Sequence, residues 1–173
     1  MAAEVDPALE HCVGLHPLFS AVADMRVVLG AATDSGLWSL TDDQVVAAVG
    51  EVLALRSCAE ALTASLVAQA ESRAVRQRLG QVTTTGWLRR RFLLPLTEAR
   101  RLTDLTAALP KWSRVRAALA EAPLGVQAAA VITTVLSGLP ETTSAAELVR
   151  AEELLVTQGA FLDPSELAQC GRP

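Results

Sequence analysis

The chain has 173 residues, a mass of 18.2 kDa, a hydrophobic fraction of 51% and a net charge of −4. Its length suits one ordinary domain or two small ones, and its apolar content excludes an intrinsically disordered polymer. The acidic balance excludes a uniformly basic nucleic-acid-binding protein. Three widely spaced cysteines without a CxxC pair exclude a disulfide scaffold and predict a reducing, cytoplasmic location.

Apolar residues recur at helical spacing along nearly the whole chain, which predicts an all-α fold. The first helix is expected from about residue 17 to residue 31. Thr41 and Gln44 form a capping-box pattern that begins a second, long helix. This pattern continues to about Leu79, and Gly80 is expected to end it. The apolar residues of the long helix, here named the 45–70 stripe, are Val45, Val49, Val52, Leu55, Ala59, Leu62, Leu66 and Ala70.

Shorter helices are predicted in the rest of the chain, at about 84–92, 96–109, 112–120, 123–136, 144–157 and from 164 onward. Two of them have clear starts, because Ser144 with Glu147 and Asp163 with Glu166 are capping patterns. Aromatic side chains at helix starts usually anchor a core, which is the prediction for Trp38, Trp87 and Trp112. Phe92 is expected to face inward with Trp87.

We therefore predict a multi-helix bundle with one long helix in its N-terminal half and a helix-turn-helix-like centre. Residues 1–40 are interpreted as an N-terminal segment with one helix, and residues 41–173 as a helical domain. The uncharged stretch 122–140 contains proline, glycine and threonine, which favours a buried helix over a membrane span. The helix predicted from residue 164 has room for only about two turns, so we expect a chain truncated before a further domain.

Charge is strongly segregated along the chain. Residues 1–72 have a net charge of −8, residues 73–116 a net charge of +9, and residues 117–173 a net charge of −5. The basic residues of the central segment are Arg73, Arg76, Arg78, Arg89, Arg90, Arg91, Arg100, Arg101, Lys111, Arg114 and Arg116. Arginine pairs with phosphate in a bidentate manner, so this segment is a candidate DNA contact.

The predicted nucleic-acid-binding residues are Arg89, Arg90, Arg91, Arg100, Arg101, Arg114 and Arg116. The alternative is that acidic helices on either side pair with these arginines inside one bundle. In that case the 45–70 stripe would provide a homodimer seam or a docking surface for a partner domain.

Groups suited to catalysis are scarce in this sequence. No histidine occurs after His16, and the cluster of His11, Cys12 and His16 lacks a fourth metal ligand. Asp42-Asp43 fits the first turn of a helix, and Glu152-Glu153 points to two different helix faces. We expect no catalytic residue, no metal and no cofactor.

Several segments together resemble the actinobacterial 13E12 repeat family. They are LALRSCAEALTASLVAQAESRA from Leu53, TTTGWLRRRFLLPLTEARRLTDLTAALP from Thr83, and Phe161-Leu162-Asp163-Pro164. The resemblance covers roughly residues 40–170. It implies the helical domain of uncharacterised function that usually precedes an HNH endonuclease domain in that family. The histidine-rich nuclease part has no counterpart here, so the resemblance implies a non-catalytic accessory domain.

Overall fold

The structure is a computed structural model, and it describes residues 16–121 and 123–170. All regular structure within these residues is helical, which confirms the predicted all-α multi-helix fold. A short 3-10 helix covers Leu37–Ser39. The α-helices of the described residues are α1 Pro17–Thr33, α2 Asp42–Ser72, α3 Val75–Arg78, α4 Thr84–Phe92, α5 Leu96–Ala108, α6 Ser113–Ala120, α7 Val126–Ser137, α8 Ala145–Gly159 and α9 Pro164–Cys170.

The chain divides into two compact units, Met1–Ala47 and Ala48–Pro173. In the first unit, none of the described residues 16–47 is buried. The side chain of Trp38 is 91% exposed, so the prediction that it anchors a core is wrong. Trp38 lies in the 3-10 helix after the left-handed Gly36, and the described residues 16–47 of this unit form too few elements to enclose an indole ring.

The start of α2 follows the predicted capping box. The Thr41 N–H donates to Gln44 Oε1 at 2.9 Å, and the Gln44 N–H donates to Thr41 Oγ1 at 3.4 Å. Each side chain satisfies a backbone donor that the helix itself leaves unpaired.

The end of α2 differs from the prediction, because the helix stops at Ser72 and not near Leu79. Ala74 adopts a left-handed backbone with φ of 53°, which breaks the helix axis before the short α3. The Glu71 carboxylate accepts hydrogen bonds from Arg76 Nε at 3.1 Å and from the Thr84 hydroxyl. These bonds hold the chain that follows Ala74 against the end of α2. The apolar residues therefore keep helical spacing to about Leu79, although the helix itself ends at Ser72.

The face of α2 that packs within the second unit consists of Ser57, Ala61, Ala64 and Val67. These residues are small, and they let neighbouring side chains approach the α2 backbone closely. The 45–70 stripe lies mainly outside this face. The side chains of Leu62 and Leu66 are 41% and 47% exposed, and those of Val49 and Val52 have a larger exposed fraction.

The core of the second unit is organised around α7. Ala129, Ile132 and Leu136 of this helix are fully or almost fully buried. Helices α5, α6, α8 and α9 pack against α7, and Trp87 and Leu119 belong to the same core. This accounts for the uncharged stretch near residue 130. Among the described helices, none has the length and apolarity that a membrane crossing requires.

The start of α6 is capped by a side chain distant in sequence. Trp112 precedes the helix and provides no side-chain cap. Instead, Oε1 of the buried Glu152 in α8 accepts hydrogen bonds from the N–H groups of Arg114 at 2.8 Å and Val115 at 3.2 Å. A carboxylate at a helix N-terminus also interacts favourably with the helix dipole. Glu152 therefore joins α8 to α6.

The predicted capping box at α8 is present. The Glu147 carboxylate accepts from the Ser144 hydroxyl at 2.6 Å and from the Ser144 N–H at 2.8 Å. These two bonds, the hydroxyl first, lower the pKa of Glu147 below its ordinary value. A lowered folded-state pKa stabilises the fold above the unfolded-state pKa, and this contribution is lost as the pH falls through the folded-state pKa.

Ser144→Ala is expected to raise the pKa of Glu147 towards its ordinary value, because it removes the hydroxyl that accounts for the larger share of the shift. Titration of the Glu147 carboxyl by NMR measures this change. The unmodified chain, titrated under the same conditions, is the control. An unchanged Glu147 pKa in the variant would contradict the assignment.

Candidate nucleic-acid interface

Helices α4 and α5 form a hairpin, here named the α4–α5 hairpin. The Thr83 hydroxyl accepts from the Gly86 N–H at 3.0 Å and begins α4. Leu93, with φ of 56°, reverses the chain, and α5 follows Pro95. The hydroxyls of Thr85 and Thr103 lie 3.1 Å apart, which shows that the two helices run back along each other.

One face of α4 attaches the hairpin to the core. Trp87 and Leu88 are buried, as expected from the sequence for the tryptophan. Phe92 contacts Trp87 edge to face with ring centroids 5.6 Å apart, but it is 54% exposed. The prediction that Phe92 faces inward is therefore wrong, because the helix ends there and more than half of the ring surface stays exposed.

The three consecutive arginines of α4 come directly after this buried pair. Arg89, Arg90 and Arg91 are all exposed, at the C-terminal end of the helix. Cations at this end interact favourably with the helix dipole, so their position is also compatible with the stability of α4. Within the described ranges, Arg89 and Arg90 form no ion pair.

The adjacent arginines of α5 have different surroundings. Arg100 is exposed and forms no ion pair within the part of the chain that the structure describes. The side chain of Arg101 is 84% buried and forms an ion pair with Glu60 of α2. Arg101 therefore attaches the hairpin to the long helix, while Arg100 remains available to solvent.

The two predicted arginines of α6 also differ. Arg114 Nη2 lies 3.7 Å from Glu153 Oε2 of α8, and both side chains remain about half exposed. Exposed ion pairs of this kind exchange readily for other partners, because each contributes little to stability. Arg116 is exposed beside a small cleft that also includes Gln69 and Thr106.

The central segment is thus only partly neutralised within the chain. Arg76, Arg101 and Arg114 form ion pairs with carboxylates, whereas Arg89, Arg90 and Arg100 form none within the described residues. The α4–α5 hairpin alone carries five arginines against Glu98 and Asp104, a net charge of +3. Its exposed guanidinium groups can donate bidentate hydrogen bonds to phosphate oxygens.

Sequence reasoning missed Arg56, which lies in the acidic N-terminal third of the chain. In the fold, Arg56 of α2 lines a polar cleft together with Thr97, Glu98, Arg101 and Gln127. Arg56 is also part of a neighbouring, largely apolar cleft that includes Gly159. No local pattern indicates this position, because the cleft exists only once α2, α5 and α7 are packed.

The described residues contain no group of three or more histidine, cysteine, aspartate or glutamate side chains placed to hold a metal ion. Nδ1 of His16 accepts from the Leu18 N–H at 3.1 Å and caps α1. The other two members of the suspected cluster, His11 and Cys12, lie outside the described residues. Glu152 and Glu153 make separate contacts, with the start of α6 and with the Arg114 side chain.

No protein-family model matches the chain, and no curated protein or solved structure is significantly similar to it.

Proposed function

We propose that the chain is a non-catalytic helical domain that contacts DNA through exposed arginines of the α4–α5 hairpin. The observation that carries this proposal is the exposure of Arg89, Arg90 and Arg100, which form no ion pair within the described ranges. Each guanidinium that neutralises a phosphate releases condensed counterions, so these groups favour binding at low salt. Contacts between guanidinium groups and phosphates position a protein on DNA without reading its sequence, so the proposed contact is to the DNA backbone.

Two features support the same proposal. The charge segregation of the sequence concentrates a net +9 between residues 73 and 116. The resemblance of residues 40–170 to the helical domain of 13E12 repeat proteins suggests an accessory role beside an HNH nuclease. In such a role, the chain would hold the substrate while another domain performs the chemistry. Arg101 and Arg114 contribute mainly to the position of their helices, since each is paired with a carboxylate.

Charge reversal of the hairpin tests the proposal. The double variant Arg89→Glu/Arg90→Glu is expected to weaken duplex binding at least about tenfold and to reduce the slope of log affinity against log salt concentration by about 2. Fluorescence anisotropy with a labelled duplex, at several salt concentrations, measures both quantities.

A matched control is Arg26→Glu/Arg150→Glu, which changes the net charge by the same amount at exposed arginines outside the central segment. This control is expected to retain most of the affinity, since long-range attraction between exposed charges is screened beyond about 10 Å. Equal losses in the two double variants would show that only net charge matters, and would contradict a localised contact.

A second candidate function is self-association through the 45–70 stripe. It is favoured by the exposure of Val49, Val52, Leu62 and Leu66 along one helix of the second unit. Isolated apolar side chains on a surface are common, but a row of this kind is typical of a helix that packs against another helix. The occupant that suits this proposal is a second copy of the chain.

Leu62→Glu/Leu66→Glu is expected to convert a dimer into a monomer, because it places four like charges in the seam between two copies. Sedimentation velocity measures the state of association. Gln69→Glu, an exposed substitution on the same helix, is the control. A monomeric unmodified chain, or a dimer that survives the double substitution, would contradict self-association through the stripe.

A further inference from the structure

The polar cleft between α2, α5 and α7 has a volume of about 390 Å³ and is lined by Arg56, Thr97, Glu98, Arg101 and Gln127. It is separate from the exposed arginines of α4. The lining side chains are all polar or charged, and three different helices contribute them. We propose that this cleft binds a single phosphate group.

Arg101 provides the first reason. Its Nη2 pairs with Glu60, whereas its Nη1 is buried and has no hydrogen-bond partner among the described residues. A buried donor on a charged group is costly to leave unpaired. Nη1 itself has almost no accessible surface, so a phosphate oxygen meets it only after a small shift of the guanidinium towards the cleft, and that shift gives the unpaired donor an acceptor.

Arg56 provides the second reason. Its side chain is exposed, lines the cleft from α2 and forms no ion pair within the described part of the chain. Together with Arg101 it places two guanidinium groups at one cleft. Guanidinium groups match the geometry of phosphate oxygens better than a lysine ammonium does.

The remaining donors come from the two helices that face α2. The Thr97 hydroxyl and the Gln127 amide lie in the first turns of α5 and α7. Both helices begin without a side-chain cap, at Pro95 and at Gly125, so the partial positive charge of each N-terminus adds to the guanidinium charges. The lining donors come from three different helices, as suits a ligand with several acceptor oxygens such as phosphate.

Glu98 opposes binding, because its carboxylate also lines the cleft. With Glu60 already paired to Arg101, the two guanidinium groups are balanced by two carboxylates. The affinity is therefore modest, and removal of the Glu98 charge should increase it.

The test is a titration of the full chain with inorganic phosphate at constant ionic strength, followed by amide NMR. Saturable shifts are expected for Thr97 and Gln127. Arg56→Gln should weaken binding about tenfold, since it removes a charge-assisted hydrogen bond without disturbing a buried pair. Glu98→Gln should strengthen binding, and Arg150→Gln, on the exposed face of α8, should leave it unchanged. No saturable shift, or equal affinity in Arg56→Gln, would overturn the proposal.

A second titration, with a short DNA duplex, identifies the source of the phosphate. Shifts of the same amides that are weakened by Arg56→Gln would identify a phosphate of the DNA backbone. Shifts with inorganic phosphate alone would identify a free phosphate, and both results support the site. Shifts with the duplex alone would overturn it. The site does not depend on the arginines of α4, so Arg89→Glu/Arg90→Glu can abolish DNA binding while phosphate binding persists.

Discussion

Glu152→Ala is expected to lower the free energy of unfolding by about 2–4 kcal/mol. The substitution removes the acceptor for the Arg114 and Val115 N–H groups at the start of α6. Val115 is fully buried, so water cannot replace the carboxylate there without opening the contact between α6 and α8. The helix would also lose the favourable interaction of a negative charge with its dipole.

Urea unfolding followed by circular dichroism measures the loss, and hydrogen exchange of the Val115 amide locates it. Glu152→Gln is the matched control, because its side-chain oxygen can still accept while the charge is removed. About 1 kcal/mol is expected for this variant. A loss below about 0.5 kcal/mol in Glu152→Ala would contradict the capping role.

Gly159→Val is expected to lower the free energy of unfolding by about 2–3 kcal/mol. Gly159 is the last residue of α8, and a Cβ atom there would lie 2.7 Å from Leu124 Cδ1 and 3.1 Å from Ile132 Cδ1. Both of these side chains are buried, so their methyl groups cannot move into solvent to make room. The Leu124 and Ile132 methyl groups must therefore repack around a valine at this point.

The matched control is Gly50→Val in α2, where a Cβ atom would have no neighbour within 4 Å. This variant is expected to be neutral or slightly stabilising, since valine has a somewhat higher helix propensity than glycine. The midpoints of urea unfolding compare the two variants. Equal midpoints would show that the close approach at Gly159 does not constrain the fold.

Local sequence patterns predicted the helix starts well. Thr41, Ser144 and Asp163 each accept hydrogen bonds from backbone N–H groups two or three residues ahead, as expected. Such caps depend on residues within one turn of the helix, so they are visible in the sequence. The cap of α6 could not be predicted, because Glu152 lies 38 residues after Arg114.

The burial of particular faces was harder to predict. The 45–70 stripe consists of apolar residues at helical spacing, yet the buried residues of α2 are Ser57, Ala61, Ala64 and Val67. Close packing between helices favours small side chains. Small side chains are only weakly hydrophobic, so a hydrophobicity pattern does not identify them as buried. Trp38 is a large apolar side chain, but none of the described residues of its unit, 16–47, is buried.

The candidate interface was only partly visible in the sequence. The charge count located the arginine-rich segment, and the spacing relative to Trp87 placed Arg89 and Arg90 away from the core. Arg101 forms an ion pair and Arg100 does not, because only Arg101 lies next to Glu60. The position of α5 relative to α2 determines this, and the sequence does not show it. For the same reason, the position of Arg56 beside Arg101 required the folded structure.

We propose that three exposed arginines of the α4–α5 hairpin, Arg89, Arg90 and Arg100, present positive charge to a polyanion. The most direct test is the affinity of the unmodified chain for a short DNA duplex, measured from low to physiological salt. We predict detectable binding at low salt and a linear fall of log affinity with log salt concentration, with a slope that corresponds to two or more released counterions. The absence of binding at low ionic strength, or an affinity that does not change with salt, would contradict the claim.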